Sequence, residues 1–332
     1  MQNVKRLLRQ SLSTFGVVCA TSLLTSNVLA AKIGMESATP NSILGMLPQA
    51  MAPYWSKQGV DVQLSLNQTL TKSLLKIAKG SLDSAVIPGL AFSALQNGRG
   101  PYAKMADKAK DMSKNVRGLF TIPGSYYHAI TRADSGIQSW PDAKGKRVFI
   151  GPPAGAANTQ ISSLAAAGGL AIGEYKPIKA PWGAAVQSFQ DGQFDVFVGT
   201  FSLGSQSVAE LSLTNEIRIL GIPGEKMMPP EGLGMQPAEI PANTYPGQVN
   251  EDSALTWQTI MMMAVNKDMS DDIAYTLTKE FVDNRMALAE SNALFNDLLT
   301  TDYFVGVNAP LHPGAVRYYK EEGIPIPEAL LP

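Results

Sequence analysis

Apolar runs of strand length alternate with longer amphipathic stretches along this chain, and that order restricts it to a sheet with helices packed on it. Lys32 to Met35 reads as a short strand, followed by the loop Glu36 to Ser42. Leu44, Leu47, Met51 and Tyr54–Trp55 then recur at helical spacing within Ile43 to Gln58. Asp61 to Leu66 alternates polar and apolar residues as a strand does, and Asn67-Gln68-Thr69 can cap a helix running to Lys79. Ser84 to Ile87 is a third strand, stopped by Pro88-Gly89. Strand, helix and strand in that order predict parallel pairing with the helices on the sheet faces.

Further along, Val116 to Ile122 is a strand that Pro123-Gly124 interrupts before His128 to Thr131 resumes, and the break is read as a crossover between two domains. Arg147 to Ile150 is a strand entering Gly151 to Gln160, and a helix from Thr159 to Ala167 stops at the glycine pair Gly168-Gly169. Ala184 to Gln190 is helical, while Phe194 to Val198 and Ile217 to Ile222 are strands. Pro223 to Gly247 contains no periodic element, so the return crossover is expected between there and Ile260. Asp271 to Asn292 is the longest helical pattern.

With 332 residues and 45% hydrophobic content, the chain can bury the cores of two domains. A net charge of -1 without basic runs speaks against nucleic acid, which is bound through clustered Lys and Arg. At the N-terminus, Lys5, Arg6 and Arg9 precede the apolar stretch Phe15 to Leu24, and Asn27 to Ala30 offers small residues for cleavage. That is the pattern of a cleavable export signal over residues 1–30, with an apolar run well short of the ~20 residues of a membrane-spanning helix. Cys19, the only cysteine, lies inside it, so cleavage after Ala30 removes any disulfide, thiol chemistry or cysteine-held metal. No later apolar run is long enough to span a bilayer; Ile260 to Val265 is strand-sized. The expectation is a soluble, periplasmic protein.

Three segments carry a family resemblance: Arg132 to Gln160 (RADSGIQSWPDAKGKRVFIGPPAGAANTQ), Ala185 to Thr200 (AVQSFQDGQFDVFVGT), and a third from Ile240-Pro-Ala-Asn-Thr-Tyr-Pro-Gly-Gln248 to the ending Ala309 to Gly323 (APLHPGAVRYYKEEG). In order and spacing they resemble the TAXI family, the solute-binding receptors of one class of TRAP transporters. The resemblance implies an α/β fold of two lobes, the type II periplasmic-binding-protein-like arrangement, each lobe a sheet flanked by helices and joined by hinge strands. Residues 31–125 and 252–332 would form one lobe and 126–251 the other, with the ligand cleft between. It also implies a monomer that delivers a small organic acid or amino acid, glutamate-like or dicarboxylate-like, to the TRAP membrane permease subunits. No cofactor and no metal is implied. Many relatives carry glycine-rich turns after the first two strands, where this chain has Ser37 to Ser42 and Asn67 to Thr71. Ligand identity therefore transfers less well than architecture.

In such folds ligands sit beyond the carboxyl ends of strands, where helix N-termini offer unpaired N–H groups and partial positive charge to a carboxylate. Four strand exits meet that need. They contribute Thr39, Asn41 and Ser42; Asn67 and Thr69; Pro88; and Pro153, Ala154, Gly155, Ala156, Asn158 and Thr159. Gly155 permits close backbone approach, and Asn158 or Thr159 can bond a ligand while capping the next helix. The bland alternative is an ordinary strand-to-helix turn. Thr200 and Phe201 follow the strand ending at Val198-Gly199 and are expected to line the cleft. Tyr127 and Trp182 are candidates to close over a solute, against the commoner fate of core packing. Arg117 is either a partner for a ligand carboxylate or a structural ion pair. Tyr318 and Tyr319 are expected to pack the C-terminal helix against the first lobe.

The two histidines, His128 and His312, have no nucleophile motif, zinc spacing or carboxylate cluster around them. Met261-Met262-Met263 places neighbours on opposite strand faces and so fills core. Three readings remain: a receptor for a carrier, a receptor for a sensor, and an exported enzyme using His128 or His312.

Overall fold

The computed structural model describes residues 30–40, 42–153, 157–230 and 232–332. Residues 1–29 of the expected export signal, Asn41, and Ala154, Gly155 and Ala156 lie outside the described residues. Ten strands form one mixed sheet: β1 (Ala31–Glu36), β2 (Val60–Ser65), β3 (Ser84–Pro88), β4 (Val116–Arg132), β5 (Arg147–Phe149), β6 (Lys176–Ile178), β7 (Val196–Phe201), β8 (Ile217–Ile219), β9 (Met235–Ile240) and β10 (Ala254–Asn266). Their order is β2-β1-β3-β10-β4-β7-β5-β6, with β8 on β4 and β9 on β10. β1 runs parallel to β2 and β3, and β5 parallel to β6 and β7. These are the parallel pairings that strand–helix alternation predicts.

β4 and β10 decide the architecture because each changes partners along its length. The first half of β4, Val116 to Pro123, pairs antiparallel with Ile260 to Asn266 of β10. Its second half, Tyr126 to Arg132, pairs with β7 and β8, while Ala254 to Thr259 of β10 pairs with β9. One hydrophobic core draws on Ile33 to Ile122 and on Met262 to Leu330. Two others draw only on residues from Tyr126 to Trp257. Two bodies with separate cores therefore share two through-running strands, and the helices pack outside them.

Three expectations need correction. Pro123-Gly124 does not break the strand; β4 continues through it with a register shift between Gln258 and Ile260 of β10. A bulge accommodates a proline that cannot donate to the ladder. The segment expected to lack structure contains β9, where Pro237 sits opposite Trp257 in an edge strand. The long C-terminal helix is two, Asp271–Asp283 and Arg285–Ser291, so Ile43–Lys57 is the longest among the described residues. Asn284 interrupts it with φ −100° and ψ 6°, its amide donating to the Glu280 carbonyl at 2.8 Å. The next residue, Arg285, is drawn inward to donate to the Thr301 carbonyl at 2.7 Å.

The loops after β1 and β2 are fixed by hydrogen bonds that the sequence demands. Pro48, inside helix Ile43–Lys57, has no N–H for the carbonyl of Leu44. The buried hydroxyl of Ser37 donates to that carbonyl at 2.6 Å instead. Backbone N–H groups of Asn67 and Gln68 donate to the carbonyls of Ala38 and Ser37, at 2.9 and 3.0 Å, stitching the two loops together. At the other end of the chain, Tyr319 donates to the Leu119 carbonyl at 3.0 Å and Tyr318 to Asp283 at 2.6 Å, holding helix Pro313–Glu321 on the first body. Among the described residues no helix is long and apolar enough to cross a membrane.

Candidate ligand-binding cleft

Two adjoining cavities lie between the bodies, over the crossing strands. One, of about 580 Å³, has Ser125, Thr259 and Met261 of the crossing region beneath it. Leu70, Lys72, Leu75, Tyr102 and Met105 form one wall, and Tyr127, Pro152, Ala157, Trp182 and Thr200 the other. The second, of about 700 Å³, is rich in hydroxyls: Thr39 and Ser42 face Ser202, Ser205, Ser207 and Glu210. Ser125 and Thr200 line both, so the cleft is continuous but chemically divided, greasy on one side and polar on the other.

Of the residues expected at the site, Thr69, Pro88, Tyr127 and Trp182 line the apolar compartment, Thr39, Ser42 and Phe201 the polar one, and Thr200 both. Asn67 does not line it; it forms an exposed turn in the left-handed region, φ 60°. Asn158 is turned back on its own loop, donating to the carbonyls of Ile150 at 2.6 Å and Pro152 at 2.9 Å. Pro153 and Thr159 are exposed and lie off both linings. Asn41, Ala154, Gly155 and Ala156 lie outside the described residues. Arg117 lines neither cavity; its guanidinium donates to the carbonyls of Lys114 at 2.7 Å and Val116 at 2.9 Å, and among the described residues it has no ion pair.

Sequence reasoning missed Lys72, Leu75, Tyr102, Met105, Gln160 and Glu210. Lys72 and Leu75 follow Thr69 by three and six residues, and helical spacing from the cap was the available signal. Tyr102 and Met105 belong to the short 3₁₀ segment Gly100–Met105, which has no periodic signature. Several cavity side chains are already engaged. Tyr102 donates to the Thr71 carbonyl at 2.8 Å, and Tyr127 donates to Gln160 Oε1 at 2.8 Å while Gln160 Nε2 donates to the Leu233 carbonyl at 2.8 Å. Burial drives both phenols to higher pKa, so they stay neutral.

His128 lies beneath this site in β4, fully buried. Its Nδ1–H donates to the Tyr126 carbonyl at 3.0 Å, which leaves Nε2 to accept from the Tyr245 hydroxyl at 2.8 Å. Burial lowers its pKa to about 4 from the ordinary 6.5. The unfolded chain therefore takes up the proton first on acidification, and stability is lost as pH falls from about 6.5 towards 4, by up to ~3 kcal/mol. His312, whose pKa burial also lowers, adds in the same direction. Thermal melts at pH 7.5 and 5 should show that loss, and His128→Gln should reduce it; an unchanged pH slope in the variant would contradict this account. His312 accepts from the Gly314 N–H through Nδ1 at 3.2 Å, capping helix Pro313–Glu321.

Two bodies sharing two strands around a cleft are the architecture of the two-lobed periplasmic binding proteins. The fold is similar to that of the periplasmic aliphatic sulphonate binding protein SsuA from Escherichia coli, at TM-score 0.51 and 14% identity over 90% of this chain and 96% of that one. A periplasmic sulfonate-binding protein SsuA from Methylobacillus flagellatus KT is similar at TM-score 0.51 and 13% identity, over 79% and 70% of the two chains. The NMT1-like family profile matches residues 49–323, and the chain belongs to that family.

Proposed function

We propose that the protein is a periplasmic solute receptor that closes two lobes over a small organic acid and hands it, unchanged, to a membrane permease. The lobes would be residues 31–125 with 252–332, and 126–251. Packing of Ala254 and Trp257 in the second body's cores supports a return passage a few residues later than 251, near the Gln258–Ile260 register shift. The observation that carries the reading is the cavity walled by both bodies over the strands that join them. Four helices begin at it: Leu70–Ala78, Gly89–Gln96, Ala157–Ala167 and Trp182–Gln190, through Thr69 to Lys72, Pro88, Ala157 and Trp182. Their N-terminal dipoles and first-turn amides favour an anion. Binding without turnover accords with His128, both of whose ring nitrogens are held in structural hydrogen bonds, and with His312, whose Nδ1 caps a helix.

The TAXI resemblance of Arg132 to Gln160, Ala185 to Thr200 and the Ala309 to Gly323 ending supports a TRAP-type permease as the partner, with the receptor acting as a monomer. The Escherichia coli structure is that of an aliphatic sulphonate binding protein, so sulfonates belong beside carboxylates among the anions to test. The test is a thermal-shift screen of the chain lacking residues 1–30 against carboxylates, amino acids and sulfonates. A ligand at 100 times its Kd stabilises the folded state by about 2.7 kcal/mol. At least one anion should raise Tm and be recovered chemically intact. No shift from any anion at millimolar concentration, or recovery of a product, would overturn the proposal.

A further inference from the structure

Resting on the reading of this cleft as a solute site, we infer that the ligand has an apolar body and a single acidic group, the body filling the apolar compartment and the acid meeting Lys72. Lys72, an exposed side chain at the rim, is the one charged residue lining that compartment, and among the described residues it has no ion pair or hydrogen bond through its ammonium. Lys76, one turn along the same helix, is by contrast held by buried Glu36. Its apolar surface comes chiefly from Leu70, Leu75, Tyr102, Met105, Trp182 and Met261. Its polar side chains are partly spent: the Tyr102 and Tyr127 hydroxyls and the Gln160 amide bond within the protein, and Thr259 Oγ1 accepts from the Ser125 N–H at 3.0 Å.

A second acidic group would meet only hydroxyls and helix N-termini, with no second cation to pair with it. The apolar compartment has no second cation, and the adjoining polar one has hydroxyls, an amide and Glu210, with no Lys, Arg or His on its lining. A carboxylate reaching there would lose water and face a like charge. An α-ammonium group beside Lys72 would likewise be repelled, with no carboxylate in that compartment to receive it. Dicarboxylates and acidic amino acids therefore fit this cleft poorly, in contrast to what the family resemblance implies. A volume of about 580 Å³ accommodates a branched-alkyl or aryl acid.

The experiment is calorimetric titration of the chain lacking residues 1–30 with straight-chain acids from propanoate to octanoate, phenylacetate, the matching sulfonic acids, the matching neutral amides, succinate and glutamate. Affinity should rise about fourfold for each methylene added until the compartment is full. Each favoured acid should bind at least about tenfold more tightly than its amide. In Lys72→Gln, folded by circular dichroism, that acid–amide difference should shrink several-fold while the rise with chain length persists. The sulfonate arm decides which acid group Lys72 receives. If succinate or glutamate binds more tightly than every mono-acid, or if Lys72→Gln keeps the acid–amide difference, the ligand class is wrong while the receptor reading stands. If no compound binds, both fail.

Discussion

Phe197→Ala is expected to lower the unfolding free energy by about 3–5 kcal/mol, the range for emptying a buried aromatic site. Phe197 is 1% exposed in β7, with ring centroids of Phe149, Phe189, Phe194 and Phe201 between 5.6 and 5.9 Å away. Four rings cannot collapse onto a vacancy left by a fifth, so the cavity term is felt almost in full. Gly199 shows how tightly the rings are seated, since a Cβ there would stand 2.2 Å from Phe201 Cε2 and 2.9 Å from Phe197 Cζ. Phe201, on the polar compartment, rests against Phe197 and His128 and should loosen with them. Urea unfolding of wild type and variant measures the loss. A value below about 1 kcal/mol would mean the cluster is less rigid than its geometry indicates.

Gly124→Ala should also be costly, by about 3 kcal/mol or more, because backbone stands in the way of the new methyl group. Its Cβ would lie 2.1 Å from Thr259 Oγ1 and 2.6 Å from the Thr259 carbonyl. Thr259 cannot swing aside cheaply, for its hydroxyl accepts from the Ser125 N–H and donates to the Ser125 carbonyl at 3.2 Å. Asp297 holds the same junction from the side, accepting from the Tyr126 hydroxyl at 3.0 Å and Gln258 Nε2 at 2.7 Å. Strain here falls on both through-running strands at their change of partners, so ligand affinity should drop together with Tm. A Gly124→Ala protein with wild-type melting and unchanged titration curves would show that the strands separate freely at this point.

What could be read from the sequence follows from how local each signal is. Strand–helix alternation from Lys32 to Pro88 was legible because periods of 2 and 3.6 are set by each residue's own neighbours. Pro123-Gly124 was misread because proline and glycine signal a strand end locally, whereas pairing with distant β10 carries the strand across them. β9 escaped notice for the same reason, its Pro237 being tolerable only at an edge that topology creates. The break at Asn284 is accompanied by Arg285 reaching Thr301, a contact no helical pattern announces. At the cleft, strand exits could be located but not aimed. Nothing local says that Thr69 looks into the cavity while Asn158 bonds its own loop. The apolar wall from Tyr102 and Met105 comes from an aperiodic segment, and so the cleft's greasy character was invisible.

The first body takes its core from both ends of the described chain, reaching from Ile33 to Leu330. The second is contained within one continuous stretch. Synthesis and any threading through a membrane deliver residues in order, so the inner unit has all its parts while the outer one is still waiting for its final helix. Assembly should thus begin in the middle of the sequence, and a chain cut short before Tyr318 and Tyr319 should keep a structured centre flanked by unfinished, sticky ends.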